Sequence, residues 1–297
     1  MNHSSIRRSL ILALAVSPLA RVNAAGAAPV KPPVTTMPPD VRLVQLEAAS
    51  GGRLGVAALN TANGRQILHR ADERFPFCST FKMMLSAAVL AREPSLLEQR
   101  LRYDKDELVT HSPITEKHLD GGMTVAELCA ATIQYSDNAA ANLLIRQLGG
   151  PEAVTAYARS IGDRQFRLDR WETALNSAIP GDPRDTTTPA AMMASLHALT
   201  LGQALPPAKR QILTDWLIGN TTGATRIRAG VPSTWCVGDK TGAGDYGTVN
   251  DIAVLWPPGK APIVLAVYVT QPGKDDETEH EILGKAAKIV IDAFKVG

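Results

Sequence analysis

Ser79 and Lys82 stand three residues apart at the head of an apolar run, Met83-Met84-Leu85 continuing to Leu90. No Gly or Pro interrupts that run before Pro94, so it predicts a helix apolar on most faces and therefore buried. Residues three apart on a helix share a face, which places the lysine amine within reach of the serine hydroxyl. A hydroxyl is a weak nucleophile until a neighbouring base takes its proton. Ser79 also falls at the predicted helix N-terminus, where free amides and the positive dipole end favour an oxyanion. A Ser-x-x-Lys alone arises by chance in a chain this long, but three further stretches carry chemistry. Ser136-Asp137-Asn138 opens a predicted helix and presents a hydroxyl beside an amide. Lys240-Thr241-Gly242 lies on a predicted strand, where glycine beside a cation permits close backbone approach by a ligand. Glu172-Thr173-Ala174-Leu175-Asn176 sits in a long irregular stretch over residues 164–188, and a loop that long inside a compact domain is usually functional.

The elements that must position these residues follow from periodicity and punctuation. Asp40 caps an amphipathic helix with Val41, Leu43, Val44 and Leu46 inward, stopped by Gly51-Gly52. Residues 54–59 and 66–69 flank Asn63-Gly64, a strong hairpin signal. Residues 94–200 read as helices and loops without a clear strand. Within them Thr124 and Glu127 form a capping box, and helices are expected over 137–148, 151–160 and 189–201, with 207–218 next. Strands return at 236–239, 246–255 and 263–269, and a helix over 277–294 closes the chain. Strands at both ends with helices between predict a two-lobed α/β fold. An antiparallel sheet of about five strands is flanked by N- and C-terminal helices, with an all-α lobe inserted. The α/β lobe is expected over about 40–77 and 219–297, and the all-α lobe over about 78–218.

Residues 1–24 read as an export signal. Arg7 and Arg8 form a basic start, Leu10 to Ala20 is apolar but too short to span a bilayer, and Val22-Asn23-Ala24 offers small cleavage residues. The order Arg7-Arg8-Ser9-Leu10 hints at the twin-arginine route. The Ala/Pro-rich residues 25–39 are expected to be flexible. Losing the leader removes three arginines and no acid, which takes the formal charge from +2 to −1. That balance, with no Lys/Arg run, gives no reason to expect nucleic acid. Cys78, Cys129 and Cys236 are an odd set for an exported chain, so at least one thiol is unpaired. The six histidines show no zinc-ligand spacing, and no metal is assigned.

Taken together and in this order, Ser79-x-x-Lys82, Ser136-Asp137-Asn138, Glu172 with Asn176, and Lys240-Thr241-Gly242 resemble the class A serine β-lactamases. The resemblance continues through residues 111–118, Gly122-Met123-Thr124 and Gly219-Asn220-Thr221-Thr222-Gly223, and covers essentially the whole chain after the leader. It implies hydrolysis of the β-lactam ring of penicillins and cephalosporins through a Ser79 acyl-enzyme, and hence antibiotic resistance. By the same resemblance Lys82 deprotonates Ser79, directly or through Glu172 and a water. Ser136 passes a proton to the departing nitrogen, and Glu172 with Asn176 activates the deacylating water. Asn138 holds the acylamino chain, and Lys240, Thr241 and Gly242 line the carboxylate site. The amides of Ser79 and Ala243 form the oxyanion hole. Arg226 anchors the carboxylate, because Val249 occupies the place where some penicillinases carry an arginine. Arg170 and Asp185 clasp the loop ends. Gly244 stands where some carbapenem-hydrolysing members have a cysteine partner for Cys78. The resemblance further implies no cofactor, a small β-lactam as the only partner, a monomer free of membrane after cleavage, and a periplasmic location. A cell-wall peptidase of the same superfamily normally lacks the loop glutamate, as does a β-lactam sensor. No Gly-x-Ser-x-Gly elbow favours a Ser-His-Asp hydrolase.

Overall fold

The computed structural model describes residues 35–36, 40–278 and 280–296, all within one unit, Pro33–Gly297. The expected leader and most of the stretch expected to be flexible lie outside the described residues. Thr35–Thr36 (β1) is the exception, and it pairs in parallel with Arg65–His69 (β3). Asp40 caps Val41–Ser50 (α1) by accepting the Arg42 amide at 3.0 Å. The inward face of α1 differs from the expectation: Val41 and Val44 are exposed, while Leu43 and Glu47 are buried. The helix contributes one narrow i,i+4 stripe, because Glu47 turns in to accept the Leu54 amide at 3.1 Å and pairs with His69 and Arg70.

Arg53–Asn60 (β2) and β3 form the expected hairpin around Gly64, whose φ of 72° suits a residue without a Cβ. The chain then passes Phe75–Pro76 (β4) and a tight turn, Cys78–Thr80, into Phe81–Leu90 (α2). All ten residues of α2 are buried, as its apolar run predicts. Arg100–Leu101 (β5) and Met123–Thr124 (β6) pair with each other. Short pairs like these lie below what hydrophobic alternation can reveal, which is why residues 94–200 read as strand-free. Val125–Gln134 (α3) begins with the Thr124–Glu127 capping box. Asn138–Leu148 (α4) and Pro151–Ser160 (α5) follow. Thr186–Thr187 (β7) returns to pair with β4. Pro189–Thr200 (α6) and Pro207–Ile218 (α7) complete the helical part.

Cys236–Gly244 (β8), Thr248–Trp256 (β9) and Ile263–Thr270 (β10) bring the sheet to the order β1-β3-β2-β10-β9-β8. Five strands are antiparallel, as expected, and β1 adds a two-residue parallel edge. β8 includes Lys240-Thr241-Gly242, as expected, and runs on to Gly244. Glu281–Phe294 (α8) begins later than expected. Every residue of β10 is buried, so it reads as a continuous apolar run instead of alternating. One sheet face, with Ile252, Val264 and Ala266, joins α2 and the other central helices in one core. The opposite face, with Val56, Ala253 and Val267, packs against Leu43 of α1 and Leu283, Ala286 and Val290 of α8. The edge strand β8 is covered by α7 and by the turn leading into α2, and at that seam the chemistry-bearing residues meet.

Candidate active site

The turn before α2 is held from both sides. Phe77 stacks on Phe166 with ring centroids 4.9 Å apart, and its amide donates to the Asp185 carbonyl at 3.1 Å. From the sheet, Asn250 Nδ2 donates to the Phe77 carbonyl at 3.1 Å. Cys78 adopts φ 45°, a left-handed conformation costing a non-glycine residue about 1–3 kcal/mol, which the surrounding contacts must offset. The next residue, Ser79, is thereby presented at the mouth of the seam, 9% exposed. Gly242 of β8 lies against this turn. A Cβ on it would sit 2.8 Å from the Phe77 carbonyl oxygen and 3.2 Å from the Ser79 amide nitrogen. Here the close approach read from the sequence is made by the turn that carries Ser79, so glycine is required.

Lys82 is fully buried on α2. Its ammonium donates to the Ser136 carbonyl at 2.7 Å and Asn138 Oδ1 at 2.5 Å, and lies 3.1 Å from Glu172 Oε1. The Ser79 hydroxyl donates to that same Oε1 at 3.4 Å. The expected serine–lysine link therefore runs through the glutamate, since Lys82 turns towards it instead of along the helix. Burial lowers the Lys82 pKa below that of an ordinary lysine, and the Glu172 charge opposes the shift. Asn176 Nδ2 donates to Glu172 Oε2 at 2.5 Å, leaving the carboxylate gripped on both oxygens. Its main chain is held as well: Asn142 Oδ1 accepts the Glu172 amide and Asn142 Nδ2 donates to its carbonyl, each at 2.9 Å. The Glu172–Thr173 peptide is cis. Asn142 escaped the sequence reading because an asparagine inside a helix carries no motif. The clasp is present, with Arg170 Nε donating to Asp185 Oδ2 at 2.5 Å.

Ser136, with φ 57°, stands between two lysines. Its Oγ accepts from Lys240 Nζ at 3.0 Å and from Lys82 Nζ at 3.4 Å. Asp137, not Ser136, caps α4, accepting the Ala140 amide at 2.8 Å. The same carboxylate takes the amides of Ile114 and Thr115 at 2.9 Å each, which ties the 111–118 loop to the site. Asn138 Nδ2 donates to the Thr110 carbonyl at 2.8 Å. Lys240 is fully buried although β8 is an edge strand. Burial, then the charges of Lys82 and Arg226, push its pKa well below the usual lysine value. Thr241 Oγ1 lies 2.5 Å from Thr222 Oγ1. Arg226 is buried. One of its terminal nitrogens donates to the Gly242 carbonyl at 2.6 Å and the Asn250 carbonyl at 2.7 Å. It braces β8 against β9, and the hydroxyl of Thr222, not this guanidinium, meets Thr241. All three cysteines are free thiols. A Cβ on Gly244 would lie 2.8 Å from Cys78 Sγ, so the two positions are indeed neighbours. A cavity of about 620 Å³ opens elsewhere, lined by Arg53, Arg74, Pro76 and Ile179 among others and by none of the residues above.

The seam thus brings together a serine, a carboxylate sharing one oxygen between that serine and a lysine, and a hydroxyl flanked by two cations. That is the equipment of a serine acyl-transfer site. The profile of the β-lactamase enzyme family matches residues 39–294. Beta-lactamase Toho-1 of Escherichia coli is 55% identical over 302 residues, covering 99% of this chain and all of that protein. Beta-lactamase CTX-M-97, also from Escherichia coli, is 60% identical over 85% of this chain and 88% of its own length. The crystal structure of a β-lactamase from Desulfarculus baarsii superposes with a TM-score of 0.85 at 56% identity, over 86% of this chain and 97% of that one. The chain belongs to the β-lactamase enzyme family, as a class A serine β-lactamase.

Proposed function

We propose that this chain hydrolyses the β-lactam ring through an ester on Ser79 and so confers β-lactam resistance. The observation carrying the residue roles is the shared oxygen, Glu172 Oε1, which meets the Ser79 hydroxyl and the Lys82 ammonium together. An ammonium has three donors and no lone pair. Lys82 directs its donors at Ser136, Asn138 and Glu172, so the resting proton acceptor for Ser79 is Glu172. Ser79 Oγ attacks the lactam carbonyl as Glu172 takes its proton. The amides of Ser79 and Ala243 receive the oxyanion, where one lost donor typically costs about 3–4 kcal/mol. As the C–N bond breaks, Ser136 gives its proton to the nitrogen and is reprotonated from Lys82 beside it, and Lys82 recovers a proton from Glu172, which restores the carboxylate. Asn138 faces the acylamino chain, and Lys240 and Thr241 take the substrate carboxylate. Arg226 supports that carboxylate site indirectly, by holding the Gly242 carbonyl. In the second half Glu172 deprotonates a water, oriented with Asn176; the water attacks the ester, and the proton returns to Ser79. The buried loop carboxylate favours this reading over a cell-wall peptidase or a sensor, which lack an efficient deacylating base. The leader pattern supports export to the periplasm. Action as a monomer without a cofactor belongs to the same reading.

Glu172→Ala mixed with benzylpenicillin is expected to accumulate a Ser79 adduct that persists in intact-protein mass spectra. Turnover at the rate of the unsubstituted protein would remove Glu172 from deacylation.

A further inference from the structure

The hydroxyl of Thr241 is the end of a hydrogen-bond chain whose direction can be read from its other end. Asp239 is fully buried, and its Oδ1 accepts Arg228 Nε at 2.7 Å. Its Oδ2 accepts Asn220 Nδ2, also at 2.7 Å. A carboxylate paired with a guanidinium accepts, so the Asn220 amide is oriented with nitrogen towards Asp239 and oxygen away. The Thr222 main-chain amide confirms that orientation by donating to Asn220 Oδ1 at 3.2 Å. A carbonyl oxygen only accepts. Thr222 Oγ1, 2.9 Å from it, must therefore point its single proton there. Thr222 Oγ1 is also 2.5 Å from Thr241 Oγ1, and the proton in that bond can come only from Thr241. A side chain at Gly223 would intrude on this chain, since its Cβ would meet Asp239 Oδ2.

At rest, then, Thr241 offers an incoming ligand only lone pairs. A carboxylate also brings lone pairs. For Thr241 to donate to it, Thr241 must rotate its proton, and Thr222 must turn its own proton from Asn220 onto Thr241. We propose that Thr222 is a positioning residue that holds the Thr241 hydroxyl reversed, so that carboxylate-bearing substrates bind only by flipping the Asn220–Thr222–Thr241 chain. The proposal rests on the reading that Thr241 meets the substrate carboxylate. Thr222 is half-buried at the seam, and valine matches it in shape, so Thr222→Val removes the acceptor without emptying the site.

The test compares benzylpenicillin, which carries the carboxylate, with phenylboronic acid, which captures a serine hydroxyl and has none. Benzylpenicillin turnover and boronate inhibition by the unsubstituted protein are measured first and test the parent reading separately. In Thr222→Val the kcat/KM for benzylpenicillin is expected to rise about three- to tenfold, the worth of one neutral hydrogen bond. The inhibition constant of phenylboronic acid should stay constant. Thr222→Ser, which keeps the hydroxyl, should behave as the unsubstituted protein, and the gain should vanish in a Thr241→Val background. An unchanged or lower kcat/KM in Thr222→Val, or an equal change with phenylboronic acid, overturns the proposal. A merely structural role could produce only a loss.

Discussion

Lys82 and Lys240 are both fully buried and both donate to the one hydroxyl of Ser136, yet their surroundings differ. Lys82 has a carboxylate at 3.1 Å and two further oxygen partners. Lys240 has the Thr241 carbonyl at 2.9 Å and the Ser136 hydroxyl, and its nearest charges of like sign, Lys82 and Arg226, work against it. Asp239 and Asp251 offset this only through space, and burial raises the pKa of both, most for Asp251, which also feels the charge of Asp239. A buried cation without a direct counter-ion is costly. The first lysine is therefore built into a proton-sharing pair with Glu172. The second is left short of an anion, which a carboxylate-bearing ligand would supply.

The two sites can be separated by replacing each lysine with methionine, which keeps the length and removes the charge. Lys82→Met should cost the larger factor, about 10²–10⁴ in kcat/KM for benzylpenicillin, the usual worth of positioned acid–base chemistry. Lys240→Met should cost about 10–100-fold, appearing mainly in KM, as expected for one charge-assisted hydrogen bond to the substrate. Steady-state kinetics that reversed this order would reverse the assigned roles.

The pH profile sharpens the contrast. Because the folded Lys240 pKa lies well below 10.5, its charge is lost as pH rises through that lowered value, and kcat/KM should fall on the alkaline side. Lys240→Arg should carry this limb to higher pH, because a guanidinium stays protonated. A limb that did not move would assign it to another group.

The smallest effect is on stability. Between the lowered folded pKa and 10.5 the unfolded chain binds more protons than the native one, so stability rises with pH there. The charging penalty is present in full below the folded pKa and is gone above 10.5. Lys240→Met should therefore raise Tm by a few degrees at pH 7, with the gain shrinking towards pH 10.5. Lys82→Met should show no such gain, because it leaves Glu172 buried without its cation. Calorimetric scans of the two variants at both pH values check this.

Much of this arrangement was legible in the chain. The apolar run after Lys82, the Asn63-Gly64 turn, the Thr124–Glu127 box and the helix opening at Ser136-Asp137-Asn138 are local signals, and α2, the hairpin, α3 and α4 formed where they pointed. Misreadings arose where a neighbour decided. Val41 and Val44 are apolar and yet exposed, because Glu47 found better partners inward. Asn142 and the direction of the Thr222–Thr241 chain had no sequence signature at all.

By itself the sequence determined which residue types were available and the local elements that carry them, since helix and strand periodicities act over a few residues. The order Ser79, Lys82, Ser136, Glu172, Lys240 carried the family resemblance from which the kind of chemistry was expected. Only the tertiary structure decided which atoms share protons. Ser79 meets a carboxylate 93 residues away, and Lys240 meets a hydroxyl 104 residues away. Whether a lysine is paired or left waiting depends on which charges burial brings within a few ångströms of it, and no local periodicity records that.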